Sequence, residues 1–278
     1  QLLRGARRHL VAGPGHGISP VSRSYLAGFG RVVRCSIRFT GLASRLASTA
    51  SRPSMAATAE MSTTGIGRPG QPMPTLKSGE AGRFFDDYCN WDRIPEFREA
   101  IFGSRVAEVA SRLMGGGKVQ LFHDHVLVKE PGTAKPTPWH SDGPYYFVAG
   151  RQTVSFWSPL DPVPEATLRC VAGSHLWAKD VLPTRWLAGT GFYPGEHDYM
   201  PVPDPEAEGM RILDWELEPG DAVAFHFRTL HGARGNTTDR RRRAFSLRLV
   251  GEDARYVERP GPTSPPFAGH GMVAGQRL

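Results

Sequence analysis

The chain is organised around one short segment, Pro138-Trp139-His140-Ser141-Asp142. Its histidine and its aspartate stand two positions apart, so on an extended segment both side chains leave the same face and can bind one metal ion. A further histidine, His231, lies in the segment Thr229-Leu230-His231-Gly232. Two histidines and one carboxylate leave coordination positions of a metal open, which is typical of non-haem Fe(II) oxygenases. The sequence therefore predicts a metal site formed by His140, Asp142 and His231.

An isolated H-x-D pair occurs by chance in many chains, so the surrounding sequence has to supply the context. After three glycines at 115–117 the apolar residues repeat with a period of two, which indicates a strand. One face of that predicted strand carries Val119, Leu121, His123, His125, Leu127 and Lys129. Further strands are predicted at 152–157, 167–171, 211–217, 222–227 and 244–250, with turn residues between them. Many short strands without β-α alternation favour a double-stranded β-helix, the cupin-like jelly roll.

Two helices are predicted before these strands. Residues 80–91, with Phe84, Phe85 and Tyr88, and residues 104–114 both show an apolar period of about 3.6. The second segment offers Ser104 as an N-cap and ends at the three glycines. We therefore expect a mostly β protein of the α+β type, with N-terminal helices packed on the outside of the jelly roll.

The predicted jelly-roll domain covers residues 79–258. Residues 1–60 are rich in Arg, Ser, Ala and Gly and have no acidic residue before Glu60, which is the composition of an organelle transit peptide. Two explanations stay open: a disordered mitochondrial or plastid leader, or untranslated upstream sequence, with Met55 or Met61 as the start of a cytoplasmic protein. A peroxisomal signal is less favoured, because Leu2 stands where that signal requires a basic residue. Residues 61–78 are predicted as a linker, 183–209 as a long loop over the barrel mouth and 259–278 as a loose tail.

The net charge of +7 belongs to this leader. Residues 1–59 contain nine arginines, and outside them 25 basic residues face 27 acidic ones, so no nucleic-acid partner is predicted. No run of about 18 apolar residues occurs, so no membrane span is expected. Cys35, Cys89 and Cys170 form no C-x-x-C pair, which argues against a disulfide framework or a zinc site. No G-x-S-x-G occurs and no G-x-G-x-x-G follows a predicted strand, which excludes the usual hydrolase and dinucleotide motifs.

A cation for an acidic co-substrate is available beyond His231. The segment 240–248 contains four consecutive arginines, and on a strand Arg242 and Ser246 share one face while Arg243 and Phe245 share the other. The guanidinium fork suits a carboxylate and keeps its charge when buried. We expect Arg242 to point inward. If the register is shifted by one residue, Arg243 takes that place.

Several segments in this order resemble the phytanoyl-CoA dioxygenase family of Fe(II)/2-oxoglutarate oxygenases. The resemblance covers about Lys129 to Ser246 and rests on Val128–Gly132, Trp139–Asp142, Trp157, Gly173–His175, His231–Gly232 with Asn236, and Arg242–Ser246. It implies that His140, Asp142 and His231 hold iron. It also implies that Arg242, eleven residues after His231, holds the far carboxylate of 2-oxoglutarate.

The same resemblance assigns other side chains to the co-substrate pocket. Trp157 is similar to a tryptophan that lines this pocket, and Ser246 shares the face of Arg242. His125 stands where the family places another pocket residue of a different type. Ser141 stands where members often carry Gln, which puts one co-substrate contact in question. Relatives that halogenate have a small residue in place of the carboxylate, so Asp142 favours hydroxylation.

The predicted protein is a monomeric Fe(II)- and 2-oxoglutarate-dependent dioxygenase that hydroxylates a small or medium organic molecule. It would consume O2 and convert 2-oxoglutarate to succinate and CO2, with ascorbate as a candidate reductant. Two alternatives stay open: a jelly-roll binding or regulatory protein without turnover, and a cupin-type metalloenzyme that uses no 2-oxoglutarate. Arg242 argues against the second alternative. No motif identifies the substrate, and we expect specificity to lie in residues 143–150 and 183–209.

Overall fold

The computed structural model describes residues 32–36, 82–162, 168–186, 189–195, 198–267 and 269–278. Two α-helices lie in these ranges, α1 (Pro95–Phe102) and α2 (Val106–Met114). The strands are β1 (Val33–Ser36), β2 (Phe84–Tyr88), β3 (Gln120–Lys129), β4 (Thr137–His140), β5 (Val148–Ala149), β6 (Thr153–Pro159), β7 (Leu168–Val171), β8 (Ile212–Asp214), β9 (Asp221–Phe225), β10 (His231–Ala233), β11 (Arg242–Val250) and β12 (Arg255–Tyr256). Among the described residues, no helix is both long enough and apolar enough to cross a bilayer.

Two antiparallel sheets form the body of the fold. The large sheet has the strand order β1-β9-β6-β11-β3-β2, and the small sheet has the order β4-β10-β7-β8. The ring centroids of Phe225 on β9 and His231 on β10 lie 4.6 Å apart, so the two sheets meet face to face. This arrangement confirms the predicted jelly roll.

The outer face of the large sheet packs against both helices. Phe97 and Ile101 of α1 are fully buried, and the ring centroid of Phe97 lies 5.1 Å from that of Phe245 on β11. Val106 of α2 belongs to the same apolar cluster. Each such side chain contributes about 1.5–3 kcal/mol by its burial. The prediction that helices cover the outside of the jelly roll is therefore confirmed, although only α2 was placed correctly.

The inner face of the same sheet carries polar side chains. Side chains alternate along a strand, so the residues at odd distances from the outward-facing Phe245 point inward. Among them are Arg242, Ser246 and Arg248, all of which are buried. Their cross-strand partners on β3 are Lys129, His125 and His123. The space between the sheets is thus lined by charged and hydrogen-bonding groups, which is unusual for a core and typical of a site.

The predicted helix at 80–91 is wrong. Phe84–Tyr88 is strand β2, which pairs with β3, and a short 3-10 turn follows at Asn90–Asp92. The spacing of Phe84, Phe85 and Tyr88 resembles a helix, but pairing with β3 overrides this local preference. The carboxylate of Asp124 then accepts backbone N–H groups of Asn90 and Trp91, which holds the turn.

The predicted alternation along residues 119–129 is wrong at its first half. The pairing of β11 with β3 shifts between Arg248 and Leu249, so that Arg248 faces His123 while Leu249 faces Leu121. Such a bulge transfers the residues before it to the other face. Leu121 therefore joins the apolar cluster under the helices, and Phe122 packs on the inner side against Tyr146.

The remaining predicted strands are strands in the structure, but their first and last residues differ from the prediction. The strands expected at 152–157, 167–171, 211–217, 222–227 and 244–250 are β6, β7, β8, β9 and β11. The sequence does not predict β4, β5, β10 or β12, because two to four residues are too few to show a period. The long loop at 183–209 contains no helix or strand in its described parts.

The two chain ends differ from the prediction where they are described. The tail at 259–278 is not loose: Arg259 donates to the backbone oxygen of Tyr146 at 2.7 Å, and the ring of Phe267 packs 5.6 Å from Phe122. Within the predicted leader, β1 pairs with β9 at the edge of the large sheet. The other residues of 1–60 and the predicted linker at 61–78 lie outside the described residues.

Candidate metal centre

The three side chains of the predicted metal site converge at one end of the small sheet. His140 and His231 are Cα partners in the pairing of β4 with β10, and Asp142 follows two residues after His140. One ligand atom from each residue lies within 4.8 Å of the others. The Oδ1 atom of Asp142 is 3.8 Å from the Nε2 atom of each histidine. All three residues are buried.

Both imidazoles are fixed in the orientation that a metal requires. The Nδ1 atom of His140 lies 2.8 Å from the backbone oxygen of Pro138, and the Nδ1 atom of His231 lies 2.9 Å from that of Thr229. A carbonyl oxygen only accepts, so Nδ1 of each ring carries the hydrogen and donates it. The lone pair is thereby left on Nε2, which faces Asp142.

The histidines are held in the neutral form. Burial, together with the nearby His231, lowers the pKa of His140 from 6.5 to about 3. Burial also lowers the pKa of His231. Neutral imidazole is the form that binds metal, so protons do not compete for these nitrogens near neutral pH.

Asp142 is held as a carboxylate. Burial raises its pKa, but the Arg248 guanidinium and the two histidines outweigh this effect and leave the pKa well below the usual range. Ser155 donates its hydroxyl to Oδ2 at 2.8 Å. The Nη2 atom of Arg248 lies 3.2 Å from Oδ2 and 3.4 Å from Oδ1. The donor set is thus two neutral imidazole nitrogens and one carboxylate oxygen, which fits Fe(II) with open coordination positions.

A pair of buried cations, Arg242 and Lys129, lies on the inner face of the large sheet. Arg242 and Lys129 are cross-strand partners, and both donate to the backbone oxygen of Arg234 at 3.0 Å. Burial lowers the pKa of Lys129 to about 7, with a contribution from Arg242, and burial lowers the pKa of Arg242 to about 10. Among the described residues, no carboxylate forms an ion pair with either cation. Two positive charges without an acidic partner are suited to binding an anion.

The neighbouring arginines point elsewhere. Arg243 forms an ion pair with Asp161, and Arg241 forms one with Glu130. The strand register therefore turns Arg242, and not Arg243, toward the space between the sheets. Asn236 supports the turn before β11, because its side-chain amide donates to the backbone oxygens of Lys129 and Arg240.

The other predicted pocket residues also lie on the inner face. Trp157 is the cross-strand partner of Ser246, and both are buried. The hydroxyl of Ser246 donates to the backbone oxygen of Phe156 at 2.9 Å. His125 stacks on Tyr88 with ring centroids 4.0 Å apart, and its Nε2 lies 3.0 Å from Asp86. His125 is thus held by β2, a contact that the sequence does not indicate.

The remaining histidines of interest stay outside the metal centre. His123 is fully buried on β3, beside Arg248. His175 and His226 pack against each other with ring centroids 5.9 Å apart. The described part of the long loop does reach the centre, because the ring of Trp186 lies 4.7 Å from that of His140.

The sequence reasoning missed two charged residues of the site. Arg248 was not assigned a role, although it shares the face of Arg242 and Ser246 by simple alternation. Lys129 is predicted only as a strand residue, and its pairing with Arg242 depends on the register of two strands more than 100 residues apart in the chain. Alternation could have found Arg248, whereas the partner of Lys129 follows only from the fold.

The family model and the curated relatives that match this chain carry the same family description. The model of the phytanoyl-CoA dioxygenase family matches residues 71–244. The chain is 30% identical over 176 residues to a probable phytanoyl-CoA dioxygenase of Caenorhabditis elegans, which covers 59% of this chain and 54% of that protein. The chain spans about half the length of the curated relatives it matches.

Two solved structures share the fold. The carbocyclase SnoK of nogalamycin biosynthesis, a non-haem, α-ketoglutarate-dependent enzyme, is 25% identical with a TM-score of 0.53, covering 70% of this chain and 73% of its own. The epimerase SnoN in complex with Fe3+, α-ketoglutarate and nogalamycin RO is 22% identical with a TM-score of 0.64, covering 89% of this chain and 90% of its own. The second likeness bears on the fold alone.

Proposed function

Since the chain belongs to the phytanoyl-CoA dioxygenase family, we propose that it is an Fe(II)- and 2-oxoglutarate-dependent dioxygenase that hydroxylates a small or medium organic molecule. His140, Asp142 and His231 hold the iron in this proposal. When bound, Fe(II) supplies the oxygen chemistry, in which oxidative decarboxylation of 2-oxoglutarate to succinate and CO2 is coupled to hydroxylation of the substrate. The protein supplies orientation, charge and the exclusion of water.

The observation that carries the proposal is that the triad of His140, Asp142 and His231 and the cation pair of Arg242 and Lys129 line the same space between the two sheets. The triad offers two Nε2 atoms and one carboxylate oxygen, with both histidines locked by backbone acceptors. Arg242 and Lys129 supply positive charge that no carboxylate among the described residues neutralises. A metal site alone would suit a cupin-type enzyme, but such an enzyme has no need for two buried cations.

The two cations are proposed to bind the far carboxylate of 2-oxoglutarate. Arg242 and Arg248 lie on the same inner face of β11, and Arg248 contacts Asp142. Ser246 and its cross-strand partner Trp157 lie between the two arginines. In this proposal the keto acid chelates the metal at one end and directs its far carboxylate toward Arg242.

Hydroxylation is the outcome that the ligand set favours. Asp142 occupies the third ligand position, whereas a halogenating enzyme needs that position open for a halide. Tyr145 and Trp186 lie beside His140, with ring centroids 6.1 Å and 4.7 Å from its ring, and the Tyr145 hydroxyl bonds the backbone of Thr184. An aromatic approach suits a substrate with a sizeable apolar part.

Succinate formation tests this proposal without knowledge of the substrate. The purified protein would be incubated with Fe(II), 2-oxoglutarate, O2 and ascorbate, alone and with a panel of small carboxylic acids, CoA thioesters and alkaloid-like amines. We expect slow succinate release without substrate and faster release with a substrate, and none without Fe(II). A protein that binds Fe(II) and 2-oxoglutarate but releases no succinate under any condition would be a binding protein and would contradict the proposal.

A further inference from the structure

We propose that Arg248 is a positioning residue that holds the Asp142 carboxylate in place for metal binding. This inference rests on the proposed metal site and goes beyond it, because it assigns a role to a residue that binds neither iron nor 2-oxoglutarate.

The two oxygens of Asp142 have different surroundings. Oδ2 accepts the hydroxyl of Ser155 at 2.8 Å and lies 3.2 Å from the Nη2 atom of Arg248. Oδ1 lies 3.8 Å from Nε2 of His140 and 3.8 Å from Nε2 of His231. The same Nη2 atom donates to Oδ1 at 3.4 Å, so the guanidinium contacts both oxygens while Ser155 bonds Oδ2 alone. These contacts hold the carboxylate in one orientation, with Oδ1 toward the two imidazoles.

The orientation of Asp142 matters because its carboxylate is the anionic member of the proposed donor set. Groups that bond a metal ligand from outside fix its orientation and its basicity. Outer contacts of this kind commonly change metal affinity by about 10- to 100-fold when they are removed.

Arg248 is itself held rigidly in place. Its Nε atom donates to the hydroxyl of Tyr146 at 3.1 Å, and the whole residue is only 5% exposed. Its Nη1 atom is buried without a hydrogen-bond partner among the described residues. A buried guanidinium with an unsatisfied nitrogen is costly for stability. Stability alone therefore does not account for an arginine at this position, whereas anchoring of Asp142 does.

Co(II) binding tests the role without relying on turnover. Co(II) would be titrated into apo wild type, Arg248→Met, Arg248→Lys and Ser155→Ala, and its dissociation constant and visible absorption spectrum recorded. We expect Arg248→Met to raise the dissociation constant by about 10- to 100-fold and to change the spectrum. Arg248→Lys keeps the charge and should recover part of the affinity, and Ser155→Ala should cause a smaller loss.

Arg243→Met is the matched control. Arg243 lies on the same strand and is paired with a carboxylate, Asp161, that is not part of the metal centre. This variant should lower the thermal midpoint and leave Co(II) affinity and spectrum as in wild type. Far-UV circular dichroism would establish that each apo variant is folded.

The outcomes separate the two levels of inference. Wild-type affinity and spectrum in Arg248→Met would overturn the role of Arg248 while leaving the metal site intact. If that variant does not fold, unchanged Co(II) binding in both Arg248→Lys and Ser155→Ala would overturn it. If wild type itself binds no Co(II), the proposed metal site fails and the role of Arg248 fails with it.

Discussion

His140 and His231 are direct cross-strand partners on β4 and β10, although 91 positions separate them in the chain. Their ring centroids lie 4.2 Å apart, and each ring is fixed by a backbone carbonyl two residues before it. The strands that carry these two histidines are short, with four residues in β4 and three in β10. A metal that binds both imidazoles would tie these short strands together.

Metal binding should therefore stabilise the fold. A ligand present at 100 times its dissociation constant stabilises the native state by about 2.7 kcal/mol. We expect Co(II) to raise the thermal midpoint of protein that has been treated with a chelator. The same addition should leave the midpoint of His231→Ala unchanged. An equal rise in both proteins would show that Co(II) binds somewhere else.

Removal of Asp142 should abolish turnover and weaken metal binding. Asp142→Ala takes away the anionic ligand of the triad and leaves the buried Arg248 without its carboxylate, which costs about 3–5 kcal/mol of stability. The checks are Fe(II) affinity by equilibrium dialysis and the free energy of unfolding by urea. Asp253→Ala is the control, since Asp253 accepts the backbone N–H groups of Arg151 and Gln152 away from the site. That control should lose stability but bind Fe(II) as wild type does.

Replacement of Arg242 should affect 2-oxoglutarate and spare iron. Truncating one side of a buried charge contact costs about 2–5 kcal/mol, so Arg242→Ala should raise the KM for 2-oxoglutarate by about 30-fold or more. Fe(II) affinity should stay within about twofold of wild type, because Arg242 makes no contact with the triad. The measurement is succinate release at varied 2-oxoglutarate. If Arg243→Ala raised this KM and Arg242→Ala did not, the assignment of the co-substrate anchor would be wrong.

Binding of 2-oxoglutarate should weaken as the pH rises through about 7. Lys129 has its pKa lowered to about 7 by burial and by Arg242, so in the apo protein it loses its charge above that pH. An anion binds more tightly to the charged form. The dissociation constant for 2-oxoglutarate should therefore increase between pH 6.5 and 8.5 in wild type and change less in Lys129→Met. Equal pH dependence in both proteins would exclude Lys129 as its source.

The same lowered pKa has a consequence for stability. Between about pH 7 and the ordinary lysine value of 10.5, unfolded Lys129 holds a proton that the folded protein does not. The state that binds more protons is favoured at low pH, so this residue makes the apo fold more stable as the pH rises across that window. Urea unfolding of wild type and Lys129→Met at pH 7 and pH 9 would detect the difference.

The fold class and the three metal-binding candidates could be predicted from the sequence because they depend on local patterns. The H-x-D segment needs only an extended backbone, and the arginine face of β11 needs only alternation. Long strands such as β11 show this alternation clearly, and their type was predicted correctly. The distance between His231 and Asp142 could not be predicted, because it is set by the pairing of β10 with β4.

The failures arose where contacts between distant residues overrode local preference. Phe84 and Tyr88 suggested a helix, but their strand pairs with β3 and places Tyr88 on the ring of His125. The bulge between Arg248 and Leu249 moved Leu121 to the outer face, which no period of two can anticipate. The same register places Arg248 beside His123 and within reach of Asp142.

The most direct test of the account is the absorption spectrum of the protein with Fe(II) and 2-oxoglutarate under anaerobic conditions. A keto acid that chelates the bound iron produces a visible charge-transfer band, so this one measurement reports the triad and the co-substrate together. We predict a band that saturates at one Fe(II) per chain, requires 2-oxoglutarate, needs more of it in Arg242→Ala and is absent in Asp142→Ala. A wild-type protein that shows no such band at saturating Fe(II) and 2-oxoglutarate would contradict the account.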